Sequence, residues 1–421
     1  MYSWIKDLFP INRSITGNGI RETLAYIQNI IPELKVYEIP SHSKCFDWDV
    51  PLEWNVKEAY ITDNQGNKIV DFKENNLHLV GYSIPLKKEV SFDELEQHLY
   101  YLESLPNAIP YITSYYSKNW GFCLTYNQFK TLNRNNKYYI HIDATLNEGV
   151  LNYGEVIIKG QSEKEIFLST YICHPSMANN ELSGPAVTTA LIQYIKSMLN
   201  RKYTYRIIFI PETIGSICYL SKNLTVMKKN IIAGFNVTTI GDDLIYSYIP
   251  SRNQNSLADR AALHTLKNSG EYVKYYTFLD RASDERQYCF PGVDLPVVTV
   301  CRSKYLEYPE YHTSLDNLDF ISPQGLYGGY KMLKNILILL ENNEYYKIKT
   351  ICEPQLGKRD LYPKISTIES HYIVEKMMNF ITYADGKKDL IEIANLINTN
   401  IDELYDIILK LKNKNLLEIV E

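Results

Sequence analysis

Two histidines and a few carboxylates carry the chemistry this sequence could do. His174 ends the apolar run "FLSTYIC", and Glu212 follows "YRIIFIP". Asp242 and Asp243 come after "FNVTTIG", and His312 lies in "EYPEYHTSLDNLDF", beyond "PVVTVCR". Imidazole nitrogens and carboxylate oxygens are the donors zinc takes, and a carboxylate left over can deprotonate a metal-held water. Each residue also has a plainer reading. A histidine at a strand end often serves only as a hydrogen-bonded structural residue, a glutamate after Ile-Pro is usually solvated, and "GDD" is by default a hairpin turn. The stretch "NNELSG", with Asn180 and Glu181, could be an ordinary helix N-cap. Arg13, Arg252 and Arg286 could clamp a carboxylate or phosphate on a substrate, or simply form structural ion pairs.

The elements that must position these residues follow from periodicity. Ile20, Leu24, Ile27 and Ile31 fall at helical spacing, and "LKVYEIP" alternates as an edge strand ending at Pro40. Residues 41–160 are aromatic and rich in short alternating runs, which predicts an inserted β-rich domain. Within it "SFDELEQHLYYLESLP" reads as a helix capped by Ser91, and "WGFCLTYNQFKTL" and "KYYIHIDATLNEGVLNYGEVIIKG" read as strand. From 161 to 350 apolar β-branched runs alternate with amphipathic helices. That rhythm predicts an α/β fold, a mostly parallel sheet flanked by helices, to which residues 1–40 also belong. Ligand sites in such sheets lie at the carboxyl ends of the strands, which is where His174, Glu212, Asp242 and His312 fall.

Residues 351–421 change texture again. A linker broken by Pro354, Gly357 and Pro363 precedes three short helical patterns, a turn at Asp385-Gly386 and a final strand. Leu390, Ile393, Ala394, Leu396, Leu404, Ile408 and Leu411 form the expected buried stripe of a winged helix-turn-helix. Its second helix meets Asp402, Glu403 and Asp406 before any lysine, so it lacks the basic footprint that phosphate binding needs. Packing or protein contact is the expected use.

The whole chain agrees with this restraint. Its 421 residues carry a net charge of -5 and 22% charged residues, which gives no support to bulk nucleic-acid or anionic-membrane binding. Seven cysteines are scattered without a C-x-x-C pair, as expected of reduced core residues in a cytoplasmic protein. The start "MYSWIKDLFP" has no signal-peptide pattern, and no run approaches the ~20 apolar residues of a membrane span. The expected partner is a small-molecule or peptide substrate, and the aromatic inserted block is a candidate homodimer surface.

The order of motifs resembles a known family. "H-x(5)-N-E-L-S-G", "PETIGS", "ASDERQY…GVDLPVV" and "YHTSLDNL" together look like the zinc aminopeptidase fold of the M28 type. With "NRSITGNGIRETL", "VPLEWNV", "NNLH", "CHPSMAN" and "DERQYC", the match is closer to bacterial aminopeptidase-like proteins associated with polysaccharide biosynthesis. The resemblance implies a metal-dependent hydrolase of amide or peptide bonds. It makes His174 and His312 the first and last histidine ligands, Glu212 the general base, and Asp284 a residue at the substrate end. Three positions depart from the pattern: Asn180 stands for the aspartate that bridges two zincs, Thr213 for a ligand glutamate, and Thr238 for the fourth carboxylate. A neutral amide does not offset the repulsion between two dications. Two ions are therefore not expected: the site holds either one ion, zinc or a harder divalent cation, with Glu181, Asp242, Asp243 or the Asn180 carbonyl completing it, or no metal at all. The alternatives are a non-catalytic peptidase-like binding protein and a winged-helix regulator.

Overall fold

The structure is a computed structural model and describes residues 1–362 and 368–420. Pro363, one of the expected linker breakers, lies outside the described residues. The chain divides into two compact units, Met1–Ala258 with Tyr272–Lys331, and Asp259–Glu271 with Met332–Glu421.

The first unit is built on an eight-stranded sheet. Its order is Lys35–Pro40, Val150–Ile158, Tyr203–Ile210, Ser162–Tyr171, Ile231–Asn236, Val297–Cys301, Tyr246–Ile249 and Val273–Tyr275. The four strands from Tyr203–Ile210 to Val297–Cys301 run parallel to one another, with antiparallel strands on either side. They are continuous apolar runs because both faces are covered, and every residue of Tyr203–Ile210 is buried. Their carboxyl ends therefore share one edge. Lys35–Pro40 closes one side of the sheet as the expected edge strand, antiparallel to Val150–Ile158. That second strand was expected in the inserted block, yet it pairs inside the main sheet with Tyr203–Ile210. The insertion consequently ends before it. Its sequence alternates like the strands it follows, and only the long-range pairing separates them.

The inserted block carries a four-stranded antiparallel sheet ordered Lys68–Asp71, Glu53–Thr62, Lys137–Asn147 and Leu86–Ser91. Ser91 caps the helix Phe92–Glu96 by accepting the Glu94 N–H. In "WGFCLTYNQFKTL" only Phe122–Cys123 is strand. Tyr126–Lys130 is helical, because Thr125 and Gln128 form a capping box that captures two otherwise unpaired N–H groups.

In the second unit Asp385–Asp389, Tyr345–Ile348 and Leu417–Val420 form a three-stranded antiparallel sheet beside the helices Ile368–Tyr383, Leu390–Leu396 and Asp402–Asn413. The winged helix thus recruits a strand upstream of residue 351. Leu390, Ile393, Ala394, Leu404, Ile408 and Leu411 are buried as expected, whereas Leu396, in the last turn of its helix, is exposed. No helix among the described residues is long and apolar enough to cross a membrane.

Candidate functional site

The strand Ser162–Tyr171 delivers Cys173 and His174 to the shared edge, and the chain then makes one wide helical turn, Ala178–Leu182, before the helix Ser183–Ser197. Wide turns of this kind recur at functional sites. Asp316 holds the turn in place by accepting the backbone N–H groups of Ala178, Asn179 and Asn180 at 3.1, 2.6 and 2.8 Å. Gly184 lets the following helix press against the sheet, since a Cβ there would sit 2.4 Å from the Val237 carbonyl oxygen and 2.5 Å from Thr170 Oγ1. Asn179, Asn180 and Glu181 are buried as a result.

The two histidines meet. Their ring centroids are 5.4 Å apart, and Tyr111 lies edge-on to both at 5.2 Å. Glu181 Oε2 is 2.8 Å from His174 Nδ1, which leaves Nε2 facing Glu212 Oε2 at 3.6 Å. Burial opposes charge on His174, but Cys173 and Glu181 outweigh it and raise its pKa well above that of an ordinary imidazole. Its surroundings thus favour a positive charge. His312 differs: burial and the neighbouring His174 push its pKa down to about 3, and its buried Nε2 has no hydrogen-bond partner among the described residues. Glu212 follows the strand Tyr203–Ile210 and accepts the Ser283 hydroxyl at 2.8 Å, with burial holding its carboxyl above the usual range.

Thr213, where the resemblance expects a ligand glutamate, sits at φ +64°. A β-branched residue is strained there. Its N–H donates to Asp284 Oδ1 at 2.8 Å, and its hydroxyl accepts Arg286 Nη2 at 2.6 Å. Asp284 is fully buried behind this link, and burial together with Glu212 pushes its pKa up to about 7.

The remaining candidates fall elsewhere. Asp242 accepts the Asn179 amide, the Ser303 N–H and hydroxyl, and the Leu244 N–H, so both oxygens are engaged in holding loops together. Asp243 is exposed. Asn180 gives its amide N–H to Tyr171 Oη at 2.9 Å, and its side-chain oxygen is buried without a partner among the described residues. Arg13 is buried, donates to the His174 and Leu8 carbonyls, and stands 3.6 Å from Glu181. It positions the His174 segment. Arg252 pairs with Asp294 on the surface. Arg286 alone of the three arginines lines the cavity, of about 330 Å³, that also holds His174, Glu212 and His312. Trp48, Tyr111, Tyr115 and Tyr116 from the inserted block form its aromatic wall. Asp316 and Ser283 received no role from the sequence, although both stand in quoted motifs, "YHTSLDNL" and "ASDERQY".

These residues fit one divalent ion. Two imidazoles sharing a zinc ion at ~2 Å from each nitrogen have centroids on the order of 5 Å apart, close to the spacing seen here. Glu181 supplies the carboxylate behind His174 that orients a ligating imidazole. Cys173, His174 and Glu181 form another cluster, whose donor atoms lie within 4.8 Å of one another. It is the poorer trap, because His174 Nδ1 is already bonded to Glu181 and the Arg13 guanidinium repels a cation there. At two positions where the resemblance expects carboxylates for a second ion, Asn180 is an amide and Thr213 a hydroxyl.

A family model described as a domain of unknown function, DUF4910, matches residues 2–343, and a winged helix-turn-helix model matches residues 343–419. The chain belongs to the DUF4910 family. A Clostridium acetobutylicum protein named "Putative polysaccharide biosynthesis protein with aminopeptidase-like domain" is 43% identical over 396 residues, which span 94% of this chain and 90% of that protein. A crystal structure from Clostridium acetobutylicum, described provisionally as a peptidase, superposes with a TM-score of 0.92 at 40% identity, over 100% of this chain and 96% of that one. BSAP, a zinc aminopeptidase from Bacillus subtilis, matches with a TM-score of 0.57 at 14% identity, covering 80% of this chain and 93% of its own. At that identity the likeness shows the fold, and it bears out the zinc-aminopeptidase-like architecture read from the motifs. This DUF4910 chain therefore joins an aminopeptidase-like domain to a winged helix.

Proposed function

We propose that the chain is a single-metal hydrolase of amide bonds in a small molecule or peptide. The observation that carries this reading is the pairing of Glu212 with His174 Nε2, beside the unpartnered His312 Nε2, in one aromatic-lined cavity. His174 and His312 would hold the ion, which supplies Lewis acidity toward a carbonyl and acidifies water. Glu212 takes the proton from water as the water oxygen bonds to the amide carbon. It returns that proton to the nitrogen as the C–N bond breaks, leaving an acid and an amine. The Ser283 hydroxyl orients Glu212, and burial keeps its proton affinity high enough for both transfers. Arg286, tethered through Thr213, offers its guanidinium to a carboxylate on the substrate.

Asn180 and Thr213 favour a second reading, a peptidase-like binding protein without turnover. The two part on one experiment. With zinc-loaded full chain and an N-acyl amino acid probe, Glu212→Gln is expected to lower kcat by about 100-fold or more. An unchanged rate would remove the general-base role, and no hydrolysis by the native chain would leave the binding protein.

A further inference from the structure

A second cavity, of about 390 Å³, lies beside the first. Trp48 lines both. Its other walls include Phe46, Ile217, Leu220, Leu224, Gln287 and Phe290, and Asp47 is the one charged lining residue among the described residues. Trp48 stands on a two-stranded hairpin, Lys44–Cys45 with Trp48–Asp49, whose tight turn puts Phe46 at φ +56°. Tyr116 braces it, edge-on to the Trp48 ring at 6.2 Å and donating its hydroxyl to the Asp49 carbonyl. The aromatic rings here are left uncovered: Phe46 is 52% exposed, Trp48 39% and Phe290 63%. Large apolar side chains gathered in one exposed place mark a surface that something apolar covers.

We infer that the substrate amide carries an extended acyl chain that passes Trp48 and lies in this second cavity. The inference rests on the amide-hydrolase reading, because it is the shared Trp48 between the two cavities that points to a substrate group as the occupant. The near absence of charge favours hydrocarbon over a sugar or a polar peptide. The wall comes from the inserted hairpin, from the segment around Phe290, and from the helix Ile214–Asn230, which begins just after Glu212 and Thr213. The insertion therefore contributes selectivity for chain length, while the sheet edge contributes the chemistry.

The test is a calorimetric titration of N-acyl glycines, from acetyl to decanoyl, into zinc-loaded full chain carrying Glu212→Gln, so that no probe is consumed. Affinity is expected to rise about fourfold per added methylene until the cavity fills. Phe290→Ser and Leu224→Ser should flatten that dependence and leave acetylglycine binding unchanged, with thermal unfolding confirming that each variant is folded. The KM values of the native chain should follow the same series. Equal affinity for all chain lengths would overturn the subsite, even if acetylglycine were hydrolysed, which would leave the hydrolase reading standing. Length-dependent binding without turnover would keep the subsite and remove the hydrolase. Concentration-dependent dimerisation abolished by Phe290→Ser, with no length dependence, would assign the surface to a second copy and also overturn the inference.

Discussion

The first unit holds two histidine–carboxylate clusters of nearly the same composition. One is His174 with Glu181 and Glu212, at the carboxyl edge of the main sheet. The other is His141 with Glu58 and Asp143, on the antiparallel sheet of the inserted block, and its donor atoms lie within 4.8 Å of one another. In both, a histidine nitrogen faces a carboxylate at a similar distance, 3.6 Å from His174 to Glu212 and 3.5 Å from His141 to Glu58. In both, an imidazole is nearly buried.

The surroundings separate them. Glu58 is already neutralised by Lys73 at 2.9 Å, and His141 lies flat against Tyr60 at 4.7 Å between ring centroids. Its carboxylates are partly solvated, so water screens whatever attraction they offer. His174 is flanked by two carboxylates, one of them balanced by the fully buried Arg13, and a second histidine with a free nitrogen lies across from it. The same residue types give an ordinary surface network in one place and the proposed cation site in the other. Placement at the end of buried parallel strands makes the difference, because that edge gathers side chains from distant segments and buries Glu181 behind His174.

The largest expected contrast is in metal retention. His174→Ala or His312→Ala should weaken zinc binding by more than about 100-fold, since loss of an outer-shell partner alone costs 10–100-fold. His141→Ala should leave it unchanged. Competition with a chromogenic chelator reads the difference, and equal losses in the two clusters would erase the distinction.

A smaller contrast lies in the carboxylates. Glu181→Gln should loosen zinc by roughly 10–100-fold. It should also lower stability by about 3–5 kcal/mol, because Arg13 is left buried without its counter-ion. Urea unfolding measures the second effect. Glu58→Gln should move neither quantity, as its charge faces solvent and Lys73 can relax into water. A Glu181 variant as stable as the native chain would mean that Arg13 is satisfied by the Leu8 and His174 carbonyls alone.

Much of this was legible in the sequence, for a definite reason. Strand ends in an alternating α/β pattern must lie on one edge, so His174, Glu212 and His312 could be grouped before any geometry was known. Their ordered motifs carried the fold as well. What stayed hidden depended on pairings between segments far apart. Asp242 follows a strand just as Glu212 does, and only the approach of Asn179 and Ser303 shows that its oxygens tie loops together. Asp316 works by capping a turn more than a hundred residues away, which no local pattern announces. Val150–Ile158 reads like its neighbours in the insertion, and its partners across the main sheet decide where it belongs.

The proposed hydrolase needs one ion at this edge. Elemental analysis of full chain saturated with zinc and then dialysed without chelator tests it most directly. The account expects one zinc per chain, lost on His174→Ala and kept on His141→Ala. No bound zinc, or two ions that survive the His141 substitution, would contradict it.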